Sequence, residues 1–163
     1  MRSTDKFLIG IVVGIVALVI AAFVVTLTRP EPTYQPEDTP GGVAHNYLLA
    51  LHREDYERAY GYLSPTLDGY PASADEFADA ITDYSWKFRL DTDTTLAVES
   101  SRAVGNWTVV QVRESRFHGG SLIGDNQSVT MFDVKLGLEE GAWKIVDADH
   151  YFAGCWRSSK GCR

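Results

Sequence analysis

The chain has 163 residues, room for one domain of ordinary size plus an appendage. At 45% hydrophobic and 23% charged residues it is neither a disordered polyelectrolyte nor wholly membrane-embedded. A net charge of −7 argues against a general nucleic-acid binder, and two cysteines are too few for a disulfide-built scaffold or a four-thiolate zinc site.

Residues 7–27, from Phe7 to Leu27, carry no charge and nothing more polar than Thr26. As a helix rising about 1.5 Å per residue, such a run covers roughly the hydrocarbon core of a bilayer. A cleaved signal peptide has a shorter apolar run ending at small residues, and a cut after Ala21 leaves Phe23, Val24 and Val25 in the mature N-terminus. The run therefore reads as an uncleaved, single-pass transmembrane helix. Arg2 and Lys6 precede it, whereas Arg29 alone and then Glu31, Glu37 and Asp38 follow. By the positive-inside tendency, residues 1–6 are expected to be cytoplasmic and the rest extracytoplasmic. Residues 1–29 carry +2 and residues 30–163 carry −9, in agreement. Gly10, Gly14, Ala17 and Ala21 fall on one helix face, where small residues let two helices approach closely and support a homodimer.

Residues 28–42 hold four of the six prolines, Pro30, Pro32, Pro36 and Pro40, and predict a stiff, extended stalk. Beyond it, Thr39 is an N-cap candidate with Pro40 at the first helical position. Val43, Tyr47, Leu48 and Leu51 then recur at helical spacing. Asp55–Leu63 continues with Tyr56, Ala59, Tyr60 and Leu63. Ser73-x-x-Glu76 is a capping box ahead of Phe77, Ala80, Ile81 and Tyr84. From Trp86 the period drops to two: Trp86, Phe88 and Leu90 alternate with Lys87, Arg89 and Asp91. Further strands are predicted over Thr94–Val104, Trp107–Phe117, Ser128–Leu138 and Trp143–Phe152. Gly105-Asn106, Gly119-Gly120 with Asp125-Asn126, and Glu139-Glu140-Gly141 supply the turns. Helices followed by consecutive strands with short turns imply an α+β fold with an antiparallel sheet.

The stretch Val43-Ala44-His45-Asn46-Tyr47-Leu48-Leu49-Ala50-Leu51-His52-Arg53-Glu54-Asp55-Tyr56-Glu57-Arg58-Ala59-Tyr60 resembles the opening of nuclear transport factor two-like domains. Gly141-Ala142-Trp143-Lys144-Ile145-Val146 is similar to that superfamily's closing strand. The resemblance covers about residues 40–152 and is nearest to bacterial, membrane-tethered members of largely unassigned function. It implies helices packed in the concave face of a curved, cone-like sheet with a pocket at the open end. Some relatives are enzymes of the ketosteroid isomerase-like or dehydratase-like kind, and others bind ligands or partners or pair through the sheet. Both motifs are packing and turn patterns. The enzymes' tyrosine–aspartate pattern has no positional match, so no catalytic residue carries over.

Among residues that carry chemistry, His45 and His52 share a helix face without an associated ligand set, which predicts no metal site. Asp147 and Asp149 fall on one strand face and His150 on the other, so alternation separates the imidazole from both carboxylates unless a bulge intervenes. Asp149 turned into the cone would be a candidate base. Asp133 lies opposite Phe132 and Val134, and His118 sits in a loop. Tyr47, Tyr60, Tyr84, Trp86, Phe88, Trp107 and Trp143 suffice to line a pocket for a small apolar ligand, although filling a core is the simpler use. No phosphate-cradling glycine loop or dinucleotide fingerprint is present, and no cofactor is predicted. Cys155 and Cys162 close an eight-residue segment, and outside the cytoplasm a disulfide is expected there. Residues 153–163, with Arg157, Lys160 and Arg163 around Trp156, read as a solubilising tail. The sequence thus predicts a domain over 43–152, on a membrane anchor, that binds a ligand or an envelope protein partner without catalysis. A pocket enzyme and a homodimerisation module are the alternatives.

Overall fold

The computed structural model of the chain describes residues 3–27, 31–88, 93–117, 119 and 127–162. Several residues used above lie outside these: Arg2, Arg29, Pro30, Arg89, Leu90, Asp91, His118, Gly120, Asp125, Asn126 and Arg163. The chain forms two units, Met1–Pro32 and Thr33–Arg163. The first is built on helix α1 (Ser3–Leu27). Its Lys6–Val24 stretch has a mean hydropathy of 3.2 and is long and apolar enough to cross a membrane. A Cβ added at Gly10 or Gly14 meets open space.

The second unit is α+β: helices α2 (Pro40–His52), α3 (Tyr56–Gly61) and α4 (Ala74–Asp83) precede a four-stranded antiparallel sheet. Its strands β1 (Thr94–Val104), β2 (Trp107–Phe117), β3 (Gln127–Glu139) and β4 (Ala142–Ala148) lie in sequence order. The caps explain where the helices start. Thr39 accepts the Gly42 N–H with Pro40 at the first turn, and Asp55 accepts the Arg58 N–H. Ser73 accepts the Glu76 N–H, while the Glu76 carboxylate reaches back to the Ala72 N–H, one residue before the usual capping-box partner. The first hairpin turns at Gly105 (φ +61°) and the last at Glu140 and Gly141 (φ +49° and +86°), left-handed positions that favour glycine or a short polar residue.

One sheet face is apolar. Val110, Val112, Phe132, Val134, Leu136 and Ile145 are buried there and face Val43, Tyr47 and Leu51 of α2 within one core. Leu138 has the same parity but is 59% exposed at the strand end. A strand predicted over Trp86–Asp91 is absent at its described positions. Lys87 N–H bonds to Tyr84 C=O and Phe88 N–H to Ser85 C=O, so α4 runs on into a 3-10 turn (Ser85–Lys87).

Two segments read from sequence as peripheral pack onto this unit: one against its helices, the other into its core. From Thr33 onward the proline-rich stretch is a strap over α2 and α3, not a free stalk. Asn46, fully buried in α2, accepts the Gln35 N–H (2.7 Å) and donates to the Gln35 C=O (2.8 Å). Tyr34 stacks under the Arg58 guanidinium, 3.6 Å from the ring centroid, and Glu37 accepts from Tyr62 and Arg58. Gly42 is required by this route, because a Cβ there would collide with the Pro36 carbonyl. The tail is likewise not a solvated one. Trp156 is 0% exposed, stacked on Phe77 (5.0 Å) and edge-on to Phe152 (5.0 Å). Gly69 donates its N–H to the Trp156 C=O and lacks the Cβ that would strike the Cys155 and Ser158 carbonyls. Cys155 and Cys162 are disulfide-bonded, Cα–Cα 4.9 Å, closing the ring that carries Trp156.

Burying the indole removes on the order of 150–250 Å² from water, about 4–6 kcal/mol at the usual coefficient. Its N–H is buried without a partner among the described residues, which costs about 1–3 kcal/mol. Burial wins. Trp156→Ala is therefore expected to cost about 3–5 kcal/mol in urea unfolding, where a solvated tail residue would change stability by no more than about 0.5 kcal/mol. Cys155→Ser with Cys162→Ser should cost about 2–3 kcal/mol, the loop-entropy value for so short a ring.

Candidate functional site

The inward face of β2 reads Val110, Val112, Glu114, Arg116: two apolar positions, then two charged ones. Strand alternation therefore brings a carboxylate and a guanidinium to the end of the core. Glu114 is 8% exposed. Its Oε1 accepts from Arg116 Nη2 (2.8 Å) and its Oε2 from the Tyr151 hydroxyl (3.1 Å). His150 Nδ1 lies 3.5 Å from that same Oε2. Around this group Trp86, Lys87, Thr130 and Asp149 complete the lining of a cleft of about 400 Å³, at the lower end of the range for small-ligand sites.

The segment after β4 shapes the cleft. β4 pairs Leu136 with Ile145 but Lys135 with Asp147, so a bulge at Val146 shifts the register by one. The strand then ends at Ala148, and Tyr151 adopts φ +59°, strained for an aromatic residue. Among the bonds that hold it there, the Tyr47 hydroxyl donates to its carbonyl (2.6 Å), its N–H donates to Lys87 C=O (3.3 Å), and its hydroxyl donates to Glu114. A bulge, the exception that alternation left open, thus intervenes: His150 stays apart from Asp147 but shares a cleft with Asp149. Asp149 and His150 line one cleft, while Asp147 faces away and pairs with Lys135 (3.1 Å) and Arg157 (2.9 Å). Asp149 lies exposed at the rim, not turned into the interior. Its Oδ2 accepts the Asp133 N–H, and its own N–H donates to the Asp133 C=O, both at 3.1 Å. His150 stacks on Phe132, with centroids 5.1 Å apart.

Of the eight residues read as a pocket lining, the cleft gathers Trp86 and Asp149. Tyr47 is buried behind it and acts through its hydroxyl. Tyr60 stacks on Tyr70 (5.1 Å) and donates to the Pro71 carbonyl, Phe88 is in the core, and Tyr84 and Trp143 pack against it. Trp107, 46% exposed, lies over Gly137, where a Cβ would come within 2.7 Å of its ring. Tyr47 and Phe88 share one buried cluster with Trp156, Phe77 and Leu51, against which Tyr60, Tyr84 and Trp143 pack. Lys87, Glu114, Arg116, Thr130, His150 and Tyr151 are cleft residues that the sequence reading did not select. The signal for two of them was present: Glu114 and Arg116 continue the alternation of Val110 and Val112 onto the core face. His45 Nε2 lies 3.1 Å from the Thr33 carbonyl in the strap, and His52 is exposed. No group of three His, Cys, Asp or Glu suited to a metal occurs among the described residues.

No family model matches the chain, and no curated relative matches it. Among solved structures it is similar to a SEC-C motif containing protein from Rhodopseudomonas palustris, at 12% identity over 72% of this chain and 83% of that one, TM-score 0.47. It is also similar to an NTF-2 like protein of unknown function from Shewanella oneidensis (12%, 65% and 90%, TM-score 0.41). A third is an uncharacterized cystatin fold protein from Novosphingobium aromaticivorans (9%, 67% and 98%, TM-score 0.39). These are distant likenesses of fold.

Burial raises the Tyr47 hydroxyl well above its ordinary pKa of 10, and burial followed by the Glu114 charge raises Tyr151. Below about pH 10 both tyrosines are protonated whether folded or unfolded, so the stability from these bonds is fully present. Above it the unfolded chain loses protons that the folded state keeps, and stability falls by about 1.4 kcal/mol per pH unit for each tyrosine. Urea unfolding at stepped alkaline pH should show this decline, and Tyr47→Phe should remove one tyrosine's share of the slope. At neutral pH that variant leaves the Tyr151 carbonyl without its donor and should lose about 1–3 kcal/mol.

Proposed function

We propose that this chain is a single-pass membrane protein, anchored by residues 7–27 with its N-terminus cytoplasmic, whose extracytoplasmic domain binds a ligand in the polar cleft without turning it over. The observation that carries the binding reading is the division of labour inside the domain. Its buried core is apolar and rich in the chain's own aromatic side chains, and the cleft beside that core is lined by charged and polar groups. Glu114 is engaged through both oxygens, by Arg116 and Tyr151, an arrangement suited to fixing shape more than to accepting a proton. The anchor reading draws support from the length and apolarity of Lys6–Val24. The outward placement draws it from the flanking charges and from the disulfide, a bond that persists in oxidising compartments.

A second reading, a pocket enzyme, has one observation in its favour. His150 stands beside a buried carboxylate next to a residue held in a strained conformation, a combination that recurs at active sites. The two readings part at the first assay of chemical change in a bound molecule.

Topology is tested by fusing alkaline phosphatase or green fluorescent protein to the C-terminus in a bacterial host. The expected result is an active phosphatase fusion, a dark fluorescent fusion, and an intact mass that retains Met1–Leu27. Phosphatase inactivity with bright fluorescence would place the domain inside, and loss of the first residues would make the helix a cleaved signal.

A further inference from the structure

We infer that the cleft bounded by Trp86, Glu114, Arg116, Asp149 and His150 is a site for a neutral saccharide. The inference rests on the reading of the cleft as the domain's ligand site and adds the chemical class. Trp86 carries the first part of the argument. It is 61% exposed at the cleft rim, next to the point where Phe88 enters the core. An indole left in water forgoes several kcal/mol of burial: Trp156 of the same domain is buried completely, and Trp86 is more exposed than Trp107, at 46%. The Lys87 ammonium lies 5.2 Å from the Trp86 ring centroid, which helps to fix the side chain at the rim.

Charge carries the second part. Lys87 and Arg116 are balanced by Glu114 and Asp149, so with a neutral imidazole the described lining has no net formal charge. A cleft for a phosphate or a carboxylate would show an excess of cations, and one for an ammonium an excess of anions. A fatty chain would need an enclosed apolar cavity, whereas this cleft is lined by charged and polar side chains around a single exposed indole. What the lining offers instead is a mixture: donors from Arg116 and Lys87, acceptors from Asp149 and Glu114, and groups of either sense at His150 and Thr130. Sugar hydroxyls are both donors and acceptors, spaced around a ring whose C–H face is apolar. That pattern matches a flat indole beside mixed polar groups.

The polar groups are also held in advance. Arg116 and Tyr151 fix Glu114, the Asp133 backbone fixes Asp149, and Phe132 supports the His150 ring. Little ordering entropy is then lost on binding, which matters for a weak, hydroxyl-rich ligand.

The test uses the full chain in phospholipid nanodiscs free of glycolipid and of sugar-headed detergent. Tryptophan emission is titrated with chitobiose, cellobiose and maltose, and in parallel with inorganic phosphate, decanoate and adenosine. At least one disaccharide is expected to give a saturable change in the millimolar range. Trp86→Ala should weaken it about tenfold, the scale of one aromatic stacking contact, with substantial recovery in Trp86→Tyr. Asp149→Asn should weaken it as well, whereas Trp107→Ala, an exposed tryptophan outside the cleft, should not. Failure of all three disaccharides, or equal affinity in Trp86→Ala, overturns the saccharide assignment. Saturable, Trp86-dependent binding of phosphate, decanoate or adenosine in their place overturns it too, while leaving the binding reading intact. Release of new reducing ends from a bound disaccharide would sink the non-catalytic reading and leave the ligand class standing.

Discussion

The bond from the Tyr47 hydroxyl to the Tyr151 carbonyl is the constraint on which the rest of the domain depends. It joins the middle of α2 to the chain just past the last strand, residues separated by 104 positions, and both partners are buried. A carbonyl buried there without a donor would cost about 1–3 kcal/mol, so the hydroxyl fixes which way the backbone turns after Ala148. That turn takes Tyr151 through the left-handed region, a conformation costing about 1–2 kcal/mol for a residue with a Cβ. Two outcomes follow from one geometry. Upstream, Asp149 and His150 are brought onto one cleft instead of alternating. Downstream, Phe152, Ala153 and Trp156 are directed into the core, each no more than 1% exposed.

Much of the architecture was legible in local pattern because local physics decides it. Thr39 and Ser73 cap helices at the positions that the sequence marks, and the strands from Thr94 and Trp107 begin as read. The failures share a cause. Trp86, Lys87 and Phe88 have period-two composition, but the end of α4 offers the carbonyls of Tyr84 and Ser85, and helical-turn bonds form first. The prolines of the strap do forbid regular ladders, yet Gln35 finds its backbone partners in the Asn46 side chain, so proline content alone did not mean a free tether. Trp156 looked peripheral because it stands among Arg157, Lys160 and the chain end. Its burial depends on Phe77, some eighty residues earlier, and on Gly69 leaving room for the returning backbone.

The cleft was the less legible part, for the same reason at closer range. Glu114 and Arg116 were readable as charges on an apolar strand face, but their partners Tyr151 and His150 come from a segment whose direction is set by a bulge and a strained residue. Neither feature has a signature in a single sequence: Val146 is an ordinary strand residue, and tyrosine is disfavoured at positive φ. The aromatics left two uses open, a pocket lining and the simpler filling of a core. The fold buries Tyr47 and Phe88 in the core, packs Tyr60 against it and leaves Trp86 at the rim, a division that residue counts alone do not make.

This separation has an energetic logic. An open apolar cone would leave its walls without packing partners, a loss that grows with cavity volume. The C-terminal segment removes that loss by placing an indole among Phe77, Phe88 and Phe152, and the Cys155–Cys162 ring limits how far the unfolded tail can stray from it. In the proposed binding role, recognition relies on the polar rim, where Arg116 and Tyr151 compensate the buried Glu114 carboxylate. Removing either partner alone would leave Glu114 a poorly compensated charge in a region of low polarity, which is more damaging than the loss of a surface ion pair. The groups that shape the cleft are therefore also groups that the fold cannot easily release. Such a rim suits the proposed binding role as a rigid surface and not as an adaptable one.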